Sequence, residues 1–362
     1  MLKILDRYII LKFLGTFFFV VLIFSLFAVV IDFSQNVEEF IDENLSAGYV
    51  AKDYYLNFII FINGLLWPLF AMISVIFFTS RMAYNSEIIS ILNAGVSYWR
   101  LMRPYLIGGG MIALLHLILN HFVIPVSNKT RLDFFHSYIM KESAKVQNRD
   151  VHMFIEPGIK IYAWNFNQRD SSVRNFRLEK FEDNRLVSFI EAAEARWQGP
   201  PDKWRLSNYE IHSFGEEGEK IFVGGREKLD TNFNLRPKDF VRYDATKEMI
   251  PSHRLKAFIE EEKQRGVGNT KVYEIELYRR TADPFTLLIV TIIGMAVASR
   301  KVRGGMGFHL ALGISLGAVF VFMSKFSITF ATNESLSALA GVWIPNLIFG
   351  AIALVLVFRA QK

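Results

Sequence analysis

The sequence predicts an α-helical polytopic membrane protein, with six transmembrane helices split three and three around an inserted all-β, jelly-roll-like domain. Three observations predict it. Residues 13–31, 54–78, 104–126, 284–299, 304–324 and 335–358 carry no aspartate, glutamate, lysine or arginine. Residues 127–283, between the third and fourth of these, switch to short segments with period-two alternation. Lysine and arginine gather at one set of span ends. About 20 apolar residues cross a hydrocarbon core roughly 30 Å thick, and core helices of a large soluble protein, the alternative, rarely lack charge on every face for so long. Bulk composition is less informative: 52% apolar and 21% charged, with a net charge of +6 over 362 residues, lies close to a soluble average of roughly 45–50% and 25%. The uneven distribution decides.

The first membrane region, residues 1–126, opens on Lys3, Arg7 and Lys12 before a long apolar run. That leader is like a signal peptide's, but the run is too long and no small-residue cleavage site follows, so a retained anchor is expected. With the N-terminus inside, the segments 1–12, 81–103, 300–303 and 359–362 hold eleven bases against Asp6 and Glu87. The first outside loop is the reverse, with Asp32, Glu38, Glu39, Asp42, Glu43 and Asp53 facing Lys52 alone. This bias places both termini inside. Within the loop 81–103, Asn85 or Ser86 is suited to cap a helix, Glu87 stands in its first turn and Gly95 supplies a stop. On the resulting helix, 85–95, Ile88, Ile91 and Leu92 form an apolar strip and Glu87, Ser90 and Asn93 a small polar one. Helices that lie on a membrane surface favour bases on their polar face. This one has none between Arg81 and Arg100, which suits a protein socket better.

In 127–283, Ile159, Ile161 and Ala163 alternate with polar or aromatic neighbours. Ala193, Ala195 and Trp197 do the same up to Gly199-Pro200-Pro201-Asp202, after which Trp204–Asn208 resumes: a hairpin. Further strands are expected at 173–181, 186–190, 209–214 and 221–223, a set that suggests a sandwich or an open jelly roll. A short amphipathic helix is expected from Ser252 to Gln264, ending at Gly266. The second membrane region, 284–362, begins with a short span that residues 273–282 extend upstream.

The search for chemistry is mostly negative. There is no cysteine, hence no disulfide scaffold, thiol nucleophile or thiolate metal site. No phosphate-binding glycine loop, metal-ligand spacing or nucleophile elbow occurs. No cofactor, metal or catalytic residue is expected, and no nucleic-acid partner, since bases are not interleaved with aromatics. His116 and His121 are read as helix-interior histidines that hydrogen-bond a neighbour. Ion-coupled transporters place an acid within the membrane, and none of the six charge-free stretches has one. Lys325, at the outer end of the fifth span, is the single candidate for an intramembrane charge, either snorkelling or touching a substrate.

These residues resemble the permease subunits of the bacterial lipopolysaccharide-export ABC transporter, the LptF/LptG (YjgP/YjgQ) family. The resemblance covers essentially the whole chain. It rests on Leu5-Asp6-Arg7-Tyr8-Ile9, Ser86-Glu87-Ile88 with Gly95, Trp204-Arg205-Leu206, Glu276-Leu277-Tyr278-Arg279-Arg280, Pro284 and the stretch 313–320. The Leu-Asp-Arg-Tyr opening looks more like the G subunit. The resemblance implies a non-enzymatic permease in a Gram-negative inner membrane, with its β domain in the periplasm. It further implies a second permease subunit, a cytosolic ATPase dimer, a single-span periplasmic jelly-roll partner of the LptC type and a periplasmic bridge protein. Lipopolysaccharide would be extracted from the outer leaflet and passed to that bridge. The helix 85–95 would dock on the ATPase through Asn85, Ser86, Glu87, Ile88, Ile91 and Gly95. Phe17, Phe18, Phe24 and Phe27 of the first span, and Phe320, Phe322 and Lys325 of the fifth, would line the lipid path or, for the aromatics, meet membrane lipid. One departure stands out: where the family often has bases near the outer end of the first span, residues 32–39 are acidic and polar. Phosphate capture then falls to Lys325, Lys52 or the partner subunit, or the lipid carries fewer phosphates. A membrane-anchored sensor or scaffold with a ligand-binding β domain is the alternative.

Overall fold

The computed structural model describes residues 3–140, 149–167, 169–183, 185–200, 202–215, 218–225, 227–240, 246–264, 270–300, 305–333 and 335–360. The expected turn at Pro201, the helix stop at Gly266 and the bases Lys301, Arg303 and Lys362 lie outside them. Two compact units result: Met1–Leu132 with Glu248–Ser252 and Lys271–Lys362, and Asp133–Lys247 with His253–Thr270.

The first unit is helical. Its long elements are α1 (Ile4–Asp42), α2 (Ala47–Tyr84), α4 (Tyr98–Ile139), α6 (Lys271–Ala298), α7 (Gly305–Thr332) and α8 (Ala338–Ala360), with a short α3 (Glu87–Asn93) between α2 and α4; the end of α4 beyond Leu132 and, from His253 on, α5 (Ser252–Gln264) belong to the second unit. The six long ones are all apolar and long enough to cross a bilayer. Of the most apolar stretch of each, 61% is buried in α6 and 6% in α1. Thus α6 is the hub, packing on α2, α4, α7 and α8, and α1 leans on α2 and α4 from outside. Close approach needs small residues in a lipid solvent. A Cβ on Gly313 or Gly317 of α7 would run into Ile76 or Met72 of α2.

Two prolines interrupt the hub helices, and α4 repairs both. Pro68 cannot donate to the Gly64 carbonyl; His116 Nε2 donates to it instead, at 2.9 Å. Pro284 likewise frees the Arg280 carbonyl, and Asn120 Nδ2 donates to that, at 3.4 Å. Neighbouring helices re-satisfy broken ladders in this way inside membranes. The expectation for His116 as a hydrogen-bonding interior residue therefore holds, with a specific reason. His121 bonds Ser252 Oγ at 2.9 Å.

The fourth span is extended upstream as expected: α6 starts at Lys271, so Glu276, Arg279, Arg280 and Asp283 stand on the fourth long helix. Lys325 is thus not the only charge on the long helices near that end of the bundle.

The second unit holds one antiparallel sheet of seven strands: β1 (Arg149–Glu156), β2 (Ile159–Asn167), β3 (Ser172–Glu182), β4 (Arg185–Gly199), β5 (Lys203–Gly215), β6 (Gly218–Val223) and β7 (Leu229–Asn232). The first six follow one another in order, β7 shares an edge of β5 with β6, and the sheet does not close into a barrel. The expected hairpin is present, with Trp197 opposite Trp204. The segments 186–190 and 193–197 are one strand, as are 204–208 and 209–214. A transverse crease explains why they read as separate. Buried residues are three apart, not two, at Ala163/Phe166, Val173/Phe176, Ala192/Ala195 and Leu206/Tyr209. The intervening Trp164, Asn175, Ala193 and Asn208 fall opposite one another and drop out of the ladder. Asn175 and Asn208 each have φ of 48° there, a left-handed conformation asparagine tolerates. The phase of alternation flips in step on four strands, so both halves keep their apolar side chains on one core around Trp204, whose Nε1 donates to the Leu235 carbonyl at 2.8 Å.

Candidate functional site

The short helix α3 is built to stay in place. Ile88 is fully buried in the bundle core and Ile91 packs against it, so these two anchor the helix. The outward surface is Ile89, Ser90, Leu92 and Asn93, next to exposed Tyr84 and Asn85. Its C-terminus closes in a Schellman motif: Gly95 N–H donates to Leu92 O and Val96 N–H to Ile91 O, with Gly95 at φ 81°. The N-terminus differs from expectation. Ser86 holds the cap position in a left-handed conformation with φ 63°, and its side chain makes no capping bond. Asn85 Nδ2 instead reaches Glu87 Oε1 at 3.4 Å.

Glu87 has a second contact. Tyr8 of α1 donates its hydroxyl to Glu87 Oε2 at 3.2 Å. Two residues earlier, buried Asp6 takes both guanidinium nitrogens of Arg100, on α4, at 2.7 Å each, and the Lys3 N–H at 2.8 Å. The Leu5-Asp6-Arg7-Tyr8 opening therefore ties α1 to α4 with one residue and to α3 with another. Sequence reasoning noted these residues without a role, because their partners are 94 and 79 positions away.

The aromatics of α1 divide. Phe17 is fully buried, edge-on to Trp67 at 5.4 Å, which leaves it no surface for lipid. Phe18, Phe24 and Phe27 are exposed, Phe24 also resting on Phe70. On α7, Phe322 is exposed and Phe320 packs edge-on to Phe349 of α8 at 5.0 Å.

Sequence reasoning missed a cavity. A slot of about 170 Å³ lies between α2, α6, α7 and α8, walled by Leu69, Met72, Val290, Phe320, Val321 and Val342. Arg279, Asp283 and Lys325 line it and also a second, charged cavity of about 170 Å³ that adds Asn120, Glu248, Glu276 and Arg280. Glu276 holds Arg280 Nε at 3.0 Å with one oxygen and Arg279 Nη2 at 2.8 Å with the other. Arg280 is tied further to the Ile250 carbonyl and to Ser252 Oγ. At the same end, Tyr54 donates to Asp32 at 3.1 Å, and Arg131 stands over the Phe61 ring at 4.4 Å.

In the β unit, the edge strand β6 is exposed along its whole length, Ile221, Phe222 and Val223 included. It is clipped to β5 by His212, whose Nδ1 meets Glu219 at 2.6 Å while the ring stacks on Phe189 at 4.2 Å. Glu219, aided by Glu210, raises the His212 pKa above its ordinary value. Among the described residues no group of three or more histidines and acids is placed to hold a metal ion.

Compared with known families, the chain matches the profile described as lipopolysaccharide export system permease LptF/LptG over residues 7–359. It belongs to that family. The permease is therefore a membrane component of a lipopolysaccharide export transporter and not itself an enzyme, a multi-pass inner-membrane protein that partners within the Lpt system. No curated relative matches it.

Proposed function

We propose that this permease extracts lipopolysaccharide, or a related glycolipid, from the outer leaflet of the inner membrane and passes it to a periplasmic bridge, driven by a separate cytosolic ATPase. The observation that carries the reading is α3. It is pinned from inside by Ile88 and closed by Gly95, and it is tied to α1 through Glu87 and Tyr8, yet it presents an outward strip that none of the described residues covers. That is what a transmission element needs: a docking surface whose movement is passed to membrane helices. With both termini cytoplasmic, as the charge bias requires, α3 faces the ATPase. The β domain then stands in the periplasm, where the open edge β6 suits strand addition by a bridge or by an LptC-type partner. A second permease subunit would complete the lipid cavity against α1 and α7, the two least buried long helices. Phe18, Phe24, Phe27 and Phe322 are the aromatics in position to meet acyl chains.

Glu87 separates this from a purely structural account. Glu87→Arg should abolish ATP-driven lipid release from the reconstituted complex, whereas Tyr8→Phe, which removes the internal bond alone, should leave ATPase co-purification intact. Equal effects of the two variants on co-purification would make Glu87 an internal tether and overturn its assignment.

A further inference from the structure

The slot and its charged mouth have a chemistry of their own, separate from α1 and from the ATPase. The walls are apolar along α2, α6, α7 and α8, on helices that cross a bilayer. Its volume of about 170 Å³ is too small for the bundle of acyl chains on a multiply acylated glycolipid. At the mouth, Arg279, Arg280 and Lys325 balance Glu248, Glu276 and Asp283, so the crown carries no net charge while keeping both signs in separate places. Arg280 and Glu276 are used up internally, with every contact directed at neighbouring protein groups. Asp283 and Lys325 are not: neither has an ion-pair partner within 4.0 Å among the described residues, although both border the same opening. Lys325 is exposed. A separated acid and base above an apolar slot in a neutral crown match a molecule with an alkyl chain, a phosphate and a primary ammonium. An anionic lipid would leave Asp283 facing a negative headgroup. A quaternary ammonium would give Asp283 charge but no hydrogen to accept.

We infer that this slot holds one acyl chain of an aminophospholipid from the surrounding membrane, its ammonium on Asp283 and its phosphate on Lys325 and Arg279. The site lies within one chain and needs neither the partner permease nor transport. It therefore goes beyond the proposed function, and the failure of either leaves the other standing.

The test is photocrosslinking in the assembled transporter, embedded in membranes containing trace photoactivatable phosphatidylethanolamine, phosphatidylcholine or phosphatidylglycerol. Label is mapped by mass spectrometry to α7 residues 320–328. Charge-assisted hydrogen bonds differ from none by about 1.5–3 kcal/mol, so phosphatidylethanolamine should label this segment about tenfold or more above the other two. Val321→Trp, which fills the slot from its exposed lip, should remove that label. Asp283→Asn, nearly isosteric, should lower phosphatidylethanolamine labelling to the level of phosphatidylcholine without abolishing it. Equal labelling by all three lipids in the unaltered protein, or unchanged labelling in Val321→Trp, would overturn the proposal. Displacement of the label by excess lipopolysaccharide would do the same, by assigning the slot to the cargo.

Discussion

Asp6 shows how one residue sets the geometry of a junction. Its carboxylate is buried and saturated by Arg100, so removing it strands a guanidinium that is itself about a quarter exposed. Breaking a fully buried pair costs about 3–5 kcal/mol and a solvated pair under about 1. Asp6→Asn should therefore destabilise the helical unit by about 2 kcal/mol, seen as a lower unfolding midpoint in detergent, and Arg100→Lys should cost less because the charge survives without the fork. An unchanged midpoint in both variants would show that the pair is incidental. The sequence pointed to Glu87 and Gly95 because helix-end chemistry is local. It assigned no contact to Asp6, Tyr8 or Arg100 because a long-range pair leaves no periodic trace. It misjudged Phe17, since apolarity alone does not say which side of a membrane helix faces protein.

At the scale of elements, α4 acts as a splint. His116 and Asn120, four residues apart, each reach a carbonyl that a proline has freed, one in α2 and one in α6. An orphaned buried carbonyl costs about 1–3 kcal/mol. His116→Ala should therefore raise amide exchange in α2 around Pro68 by at least about fivefold while leaving α8 unaffected, and uniform change across the bundle would contradict the assignment. In the β unit the corresponding element is the β5–β6 hairpin. The His212 pKa is raised by Glu219, so its contribution is full below the ordinary imidazole pKa of about 6.5 and fades as pH climbs through the raised value. Protection of β6 amides, measured relative to a His212→Gln variant, should fall as pH rises above about 6.5; a pH-independent ratio would rule the clip out. Strand positions from β2 to β6 were legible from alternation except at the crease, where the phase flips on four strands together, whereas β1 and β7 were missed. A period-two reading has no means of joining segments across such a flip, so β4 and β5 each read as two strands.

The whole molecule joins a helical unit that is short of charge to a polar sheet, and the bulk composition is their average. Six spans, the inserted β domain and the positive end were legible because hydropathy and charge bias act over long windows. The upstream extension of α6 was legible too, but the pairing of Glu276 with Arg279 and Arg280 was not, because hydropathy does not say which charges on a helix meet. That cluster also bears on energy coupling. Glu276 is already committed to two arginines, which makes it a poor proton carrier, in keeping with the proposed external ATPase. The most direct measurement is lipopolysaccharide release from vesicles containing the assembled transporter, with ATP supplied and the proton gradient collapsed by an ionophore. Release should depend on ATP and be undiminished by the ionophore; release that continues without ATP and stops when the gradient is collapsed would contradict the account.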